Sequence, residues 1–311
     1  MGSGPSRPSR TALAVARAFS LLKHDPTLAA WAKLAPEGAV DATCRILESY
    51  SARMRFDQQM LDNALYRSFA RFLDRHGPMK GGVLHLALRK RFVDEHVKRA
   101  IADGFTQIAV LGAGYDTLAW RIAKAYPDVL CFEIDTKSTQ REKTKALEAL
   151  ARLEKRPFPE NLDTFVIDLS QGAVDRGLLS QRRADKTRPT LLIAEGLLMY
   201  LSERDARDVF RAAKEMATPR SRLIFSYLAS DESGELAAGR YGRTMKKMVA
   251  LAGEPFRFGI REGQLDAFLA EFGLKTLDHV AGADLPKRYA PSQDLGSPGL
   301  DWEHLAVADR S

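Results

Sequence analysis

The chain has 311 residues, of which 45% are hydrophobic and 28% charged, and its formal net charge is +7. This length and composition are typical of a globular protein with a full hydrophobic core. No apolar run approaches the roughly 18 residues that a membrane helix needs, so we expect no membrane partner. The basic residues are spread along the chain without interleaved aromatic residues, so we do not expect nucleic acid as a partner either.

The cysteines and histidines predict neither a disulfide framework nor a metal site. The chain has only two cysteines, Cys44 and Cys131, and its six histidines lack the paired spacing of metal ligands. This pattern favours the reducing cytoplasm, and it predicts that no metal is bound.

The first third of the chain is predicted to be helical. Residues 1–10 are rich in Gly, Ser and Pro and predict a disordered leader, whereas 11–104 predict a helical cap. Apolar residues recur there at helical spacing, and we interpret them as core packing. They are Leu61, Leu65, Phe69 and Phe72, followed by Leu84, Leu88 and Phe92.

From residue 105 to residue 311, strands and helices are predicted to alternate. The predicted strands are 107–112, 129–134, 163–168, 190–195, 222–228, 274–280 and 304–308. This alternation predicts an α/β fold with a doubly wound, mostly parallel, seven-stranded sheet of the Rossmann-like type. The segment around 230–300 is predicted to be a substrate-binding insertion.

The most informative segment is a predicted βαβ unit. The buried strand at 108–111 ends in a turn containing Gly112 and Gly114, and the next strand ends in Glu133 and Asp135, about twenty positions later. Acids at this spacing accept hydrogen bonds from ribose hydroxyls. The pattern therefore predicts a nucleotide-binding site.

A dinucleotide fits this site less well than S-adenosylmethionine (SAM). The third glycine of a dinucleotide motif is replaced by Thr117, and Asp116 lies where a pyrophosphate would sit. At 4 Å, two like charges repel by roughly 4 kcal/mol at an effective dielectric near 20. SAM carries no phosphate, so we favour it over a nicotinamide dinucleotide, which stays an alternative, as does a glycine turn that binds nothing.

Further along the chain, Asp168 and Glu195 also stand at predicted strand ends, where ligands of open α/β sheets bind. The sequence resembles the leucine carboxyl methyltransferase-like family of class I SAM-dependent methyltransferases. The resemblance depends on five blocks: 88–94, 111–121, 132–135, 166–169 and 191–201.

The resemblance implies a set of SAM-binding residues. Arg89, with Arg91 as its alternative, would meet the methionine carboxylate, and Glu195 would meet the ammonium. Asp135, or else Glu133, would hold the ribose. The remaining assignments are Gly112 and Gly114 beside the methionine moiety, Asp168 and Leu169 around the adenine, and Arg10 as a possible further contact.

The resemblance also implies O-methylation of a small molecule, with Tyr200 and Arg89 or Arg91 as the catalytic residues. A carboxylate acceptor is ionised at neutral pH and needs no general base, so we favour it over a hydroxyl acceptor. A role in secondary metabolism is the leading hypothesis. The alternatives are a protein C-terminal carboxyl methyltransferase and a SAM-binding protein without turnover, and we expect a monomer or homodimer.

Overall fold

The structure of the protein is a computed structural model. The residues that the structure describes are 8–50, 59–77, 80–169, 184–185, 187–215, 220–235, 239–251, 253–297 and 300–310. Of the predicted leader, 1–7 lie outside the described residues. The first helix already begins at Arg10, capped by the side chain of Ser9, which accepts a hydrogen bond from the backbone N–H of Ala12.

The elements follow the predicted order, with helices first and a helix–strand alternation after them. The helices are α1 (Arg10–His24), α2 (Ala29–Ala32), α3 (Ala39–Tyr50), α4 (Ala64–His76), α5 (Gly82–Ala102), α6 (Leu118–Ala125), α7 (Lys137–Leu153), α8 (Glu203–Glu215), α9 (Gly239–Leu251), α10 (Leu265–Ala270) and α11 (Leu285–Tyr289). The strands are β1 (Gln107–Leu111), β2 (Leu130–Asp135), β3 (Leu162–Val166), β4 (Thr190–Ala194), β5 (Ser221–Ser230), β6 (Ile260–Arg261), β7 (Leu274–Val280) and β8 (Glu303–Arg310).

The strands form one sheet in the order β3-β2-β1-β4-β5-β8-β7, and the two-residue β6 pairs with β5 outside this path. The strands from β3 to β5 are parallel, whereas β8 runs antiparallel to both β5 and β7. Every residue of β1 and β4 is buried, as expected for parallel strands covered by helices on both faces. The predicted doubly wound, mostly parallel, seven-stranded sheet is confirmed.

Helices from the first third of the chain pack on one another and on the sheet domain. Helix α1 contacts α3 and α5, and α3 contacts α7. Helix α5 is buried along much of its length, including Leu84, Leu88 and Phe92, which confirms the predicted core role of that stripe. In the described part of the chain, we find no helix with the length and apolar character required to cross a bilayer.

Helix α4 does not pack as its sequence predicts. Leu61, just before it, is buried, but Leu65, Phe69 and Phe72 are 82%, 59% and 59% exposed, so their predicted core role is wrong. The helix contacts the body of the protein with its charged side, where Arg71 pairs with the buried Asp25 at 2.7 Å. Spacing identifies an apolar stripe, but it does not say which side of the helix faces the core.

Candidate active site

A cavity of about 420 Å³ lies at the carboxyl ends of β1 to β4. The glycine turn after β1, the end of β2 and the segments that follow β3 and β4 all line it. The beginning of α1, the middle of α5 and segment 253–257 contribute the rest of the described wall. The volume is in the range of small-ligand pockets, and the position is where open α/β sheets bind ligands.

The turn after β1 depends on its glycines. Gly112 and Gly114 line the cavity and have φ angles of 62° and 47°, a region that favours glycine. A Cβ atom on Gly112 would lie 2.7 Å from Cδ1 of Leu197, so packing as well as backbone conformation disfavours a side chain here. The turn therefore presents backbone rather than side chains to the cavity.

Asp135 lines the cavity and holds the glycine turn in place. Its Oδ2 accepts a hydrogen bond from the backbone N–H of Gly114 at 2.7 Å, and its Oδ1 accepts one from the backbone N–H of Thr136 at 2.7 Å. Burial raises the pKa of Asp135, while these two hydrogen bonds act in the opposite direction. Asp135 is thus a buried acidic residue at the end of β2 that lines the cavity, and its role in binding ribose stays a prediction.

The structure does not bring Glu133, the second predicted ribose acid, to the cavity. It lies two residues earlier in β2, about 7 Å below the strand end. Its side chain is buried, and its Oε1 lies 2.8 Å from Nζ of Lys143 on α7. Glu133 is therefore part of a buried ion pair between sheet and helix and, unlike Asp135, does not line the cavity.

Asp116 binds both the start of helix α6 and a lysine. Its Oδ1 accepts a hydrogen bond at 2.5 Å from the backbone N–H of Leu118, the first residue of the helix, whose N-cap position is Thr117. Its Oδ2 pairs with Nζ of Lys90 on α5. Burial opposes ionisation, but the Lys90 ammonium holds the pKa of Asp116 well below its usual range. The same carboxylate therefore connects α5 to the glycine turn.

A buried network of charges connects α5 to β4 and β8 beside the cavity. Arg89 donates from Nε to Oε1 of Glu195 at 2.9 Å and from Nη1 to both oxygens of Glu303 at 2.8 and 2.9 Å. Nε2 of His85 lies 2.9 Å from Oε2 of Glu303, and Nζ of Lys90 lies 3.3 Å from Oε1 of Glu195. Glu195 is thus largely buried and pairs with two cations of α5.

Ion pairing outweighs burial for three groups of this network. Burial opposes the charge of Glu303, but Arg89 and His85 lower its pKa to about 2. Burial likewise opposes the charge of Arg89, whose pKa Glu303 and Glu195 nevertheless raise. Burial also opposes the charge of Lys90, but Asp116 and Glu195 raise its pKa. All three groups are therefore ionised at neutral pH.

Glu303 is a residue that the sequence analysis missed. It is the first residue of β8 and is 2% exposed. The available signal was a carboxylate directly before the apolar run of that strand, because a buried charge needs a partner of opposite sign. Only the insertion of β8 beside β5 brings it to Arg89.

Arg91 lies outside the cavity. Its Nε pairs with Oε1 of Glu95 at 2.9 Å, and its guanidinium lies over the ring of Tyr289 at 4.9 Å from the centroid. Two residues along an α-helix are rotated by about 200°, so Arg89 and Arg91 cannot face the same cavity. Of the two predicted arginines, Arg89 lines the cavity and Arg91 does not.

Tyr200 lines the cavity from a short 3₁₀ helix, Leu198–Tyr200, that follows β4. Its ring packs against that of Phe256, with centroids 5.5 Å apart. Burial raises the pKa of Tyr200 to about 12, so its hydroxyl is neutral and can donate a hydrogen bond. Asp168 and Leu169 also line the cavity, the first exposed and the second buried.

The beginning of α1 approaches the cavity without the predicted Arg10. Arg10 is exposed and does not line the cavity, whereas Ser9 and Thr11 do. The backbone N–H of Thr11 donates to Oε2 of Glu254 at 3.0 Å, and its hydroxyl donates to the same oxygen. These contacts join α1 to segment 253–257, a connection that the sequence did not predict.

Acidic groups outnumber basic groups among the described residues of the cavity wall. The acids are Asp116, Asp135, Asp168, Glu195 and Glu254, and the bases are Arg89, Lys90 and Arg257. This excess of negative charge would repel a pyrophosphate, whereas it would attract a cationic ligand without phosphate. Among the residues described, no group of three or more His, Cys, Asp or Glu side chains could hold a metal ion.

Comparison with known proteins gives a family and a fold. The model of the leucine carboxyl methyltransferase family matches residues 57–214. A Mycolicibacterium paratuberculosis protein named "Putative S-adenosyl-L-methionine-dependent methyltransferase" is 34% identical over 155 residues, which cover 50% of this chain and 48% of that protein. A Mycobacterium avium protein of the same name is 36% identical over 143 residues, or 44% and 42% of the two chains. The chain thus spans about half the length of these curated relatives.

A crystal structure from Thermobifida fusca YX, described as a "putative methyltransferase", has a similar fold. It superposes with a TM-score of 0.57 at 17% sequence identity, and the match covers 86% of this chain and 94% of that one. At this identity the similarity supports the architecture of the sheet and its helices.

Proposed function

Because this chain belongs to the leucine carboxyl methyltransferase family, we propose that it is a SAM-dependent O-methyltransferase. Its acceptor is a small molecule with a carboxylate or a hydroxyl, the carboxylate being favoured, and its role is in secondary metabolism. The observation that carries the proposal is the excess of carboxylates around a glycine turn at the carboxyl ends of the parallel strands. Two free, buried cysteine thiols support a reducing, cytoplasmic location.

The residues of the wall fit SAM, which supplies an electrophilic methyl group when bound. Arg89 uses Nε and Nη1 for Glu195 and Glu303, so Nη2 is the part of its guanidinium that would meet the methionine carboxylate. Glu195 would receive the ammonium, and Asp135 the ribose hydroxyls. Asp168 and Leu169 would frame the adenine. Each of these side chains lines the cavity.

The lining also supports an acceptor that is already ionised. No histidine lines the described wall of the cavity, and the hydroxyl of Tyr200, with a pKa of about 12, is a hydrogen-bond donor rather than a base at neutral pH. A phenol or alcohol would need a proton acceptor, whereas a carboxylate would not. The main work of the protein is then to align acceptor and methyl group, which can contribute roughly 7–11 kcal/mol.

The test is a transfer assay with SAM and a panel of organic acids, phenols and alcohols, followed by mass spectrometry. We expect methyl esters of acids to be the main products. Tyr200→Phe should lower turnover more than SAM affinity, because the hydroxyl aims the acceptor. Equal losses of turnover and SAM affinity would contradict that role. SAM binding without transfer to any acceptor would contradict the enzyme proposal and favour a binding protein.

A further inference from the structure

The three basic side chains in the described part of the cavity wall differ in their partners. Arg89 binds Glu195 and Glu303, and Lys90 binds Asp116 and Glu195, so the charges of both are compensated within the protein. Arg257 is exposed and makes no ion pair with any residue that the structure describes. Among the described residues of the wall, Arg257 is therefore the basic group whose charge no described carboxylate compensates.

Arg257 is held beside the predicted acceptor side of the cavity. Its backbone N–H donates to the carbonyl oxygen of Met199 at 2.7 Å, and the preceding Phe256 packs on the ring of Tyr200. This segment then enters β6, which pairs with β5. The nucleoside would be held at β2 and β3, by Asp135 and Asp168. In the sheet order, β5 lies beyond β4, on the side away from these two strands.

The acid nearest to Arg257 along the chain has other partners. Oε2 of Glu254 accepts hydrogen bonds from the backbone N–H and the hydroxyl of Thr11. The same cavity is also lined by apolar side chains, among them Phe19, Leu197 and Met199. A cation in a cavity with apolar lining suits an organic acid with an apolar body.

We propose that Arg257 binds the carboxylate of an apolar organic acid, which is the group that receives the methyl. This inference rests on the proposed methyltransferase function and assigns the acceptor subsite within it. Arg257 and the Tyr200 hydroxyl together would orient the carboxylate, a task that the sequence analysis gave to Arg89 or Arg91.

Charge balance explains why a single uncompensated arginine suits this reaction. One carboxylate oxygen forms the new bond to the methyl carbon as the carbon–sulfur bond breaks; the electron pair of that bond stays on sulfur, and no proton moves. The acid loses its negative charge as it becomes an ester. Arg257 therefore binds the acid but has little attraction for the ester, which favours product release.

The same balance predicts which kinetic constant depends on Arg257. Its interaction with the acceptor is strongest in the bound acid and weakens as the charge is lost. Its removal should therefore raise the KM for the acid and leave kcat unchanged or higher. Loss of a residue that merely supports the fold would lower kcat as well.

The experiment measures binding rather than turnover. Wild type, Arg257→Gln and Arg257→Lys are saturated with the demethylated product of SAM and titrated with three acids and their amides. The pairs are phenylacetate and phenylacetamide, octanoate and octanamide, and 1-naphthoate and 1-naphthamide. The matched control is Arg261→Gln, an exposed arginine four residues on that does not line the cavity.

We expect wild type to bind at least one acid about 10- to 100-fold more tightly than its amide, the effect of a charge-assisted hydrogen bond. Arg257→Gln should abolish this preference, Arg257→Lys should keep part of it, and Arg261→Gln should keep all of it. An unchanged preference in Arg257→Gln, or no preference in wild type for any pair, would overturn the proposal.

Titration with SAM and its demethylated product distinguishes failure of the methyltransferase function from failure of the Arg257 assignment. If wild type binds neither SAM nor its demethylated product, the methyltransferase function itself fails. If it binds them and Arg257→Gln weakens that binding, Arg257 contacts the donor and the acceptor assignment is wrong. Unchanged donor affinity with a lost acid preference is the result that supports it.

Discussion

Apolar patterns predicted both the ends of the strands and a buried stripe on helix α4. The strand ends lie at one edge of the sheet as predicted, whereas the stripe on α4 is exposed. At or just beyond the carboxyl ends of β1, β2, β3 and β4, the polar residues Asp116, Asp135, Asp168 and Glu195 all line one cavity. In α4, an equally regular apolar stripe points to solvent, with Phe69 59% exposed.

The difference lies in what fixes the direction of a side chain. Parallel strands of one sheet have their carboxyl ends at the same edge. A residue just beyond each strand therefore lies at that edge. A helix can rotate about its axis, and its orientation depends on tertiary contacts. In α4, the pair between Arg71 and Asp25 turns the charged side inward.

The largest predicted effect tests the buried network next to the strand ends. Glu303→Gln should reduce the free energy of unfolding by about 3–5 kcal/mol, because Arg89 would keep a buried charge with one carboxylate partner fewer. The matched control is Asp309→Asn on the same strand, whose pair with Arg222 is partly exposed and should cost about 1 kcal/mol or less. Equal costs in urea denaturation would contradict a special role for Glu303.

We also expect the stability cost of Glu303→Gln to depend on pH. The pKa of Glu303 lies at about 2 in the folded protein against an ordinary value of 4.5. Its contribution to stability is therefore complete above pH 4.5 and is lost as the pH falls towards 2. The stability difference between wild type and Glu303→Gln should shrink over this window, as measured by denaturation at successive pH values.

The network also shows where sequence reasoning stopped. Asp135 and Glu195 followed from strand ends and motif spacing, but the choice between Arg89 and Arg91 needed the rotation of α5. Glu303 stands more than 200 residues after Arg89 in the chain, and only the antiparallel β8 brings the two together. Local patterns carry no information on such a contact.

A smaller effect tests α4 directly. Phe69→Ala should change the free energy of unfolding by no more than about 0.5 kcal/mol, because the ring contributes little to the core. Phe92→Ala, in the fully buried stripe of α5, is the comparison and should cost about 3–5 kcal/mol. A cost above roughly 2 kcal/mol for Phe69→Ala would mean that its stripe is covered in solution and that the contrast with the strand ends is smaller.

The central claim is that the strand-end cavity accepts a cationic, phosphate-free nucleoside. Calorimetric titration of the wild-type chain with SAM and, separately, with NAD tests it most directly. We predict saturable binding of SAM at one site and no binding of NAD. Binding of NAD, or no binding of SAM, would contradict the account.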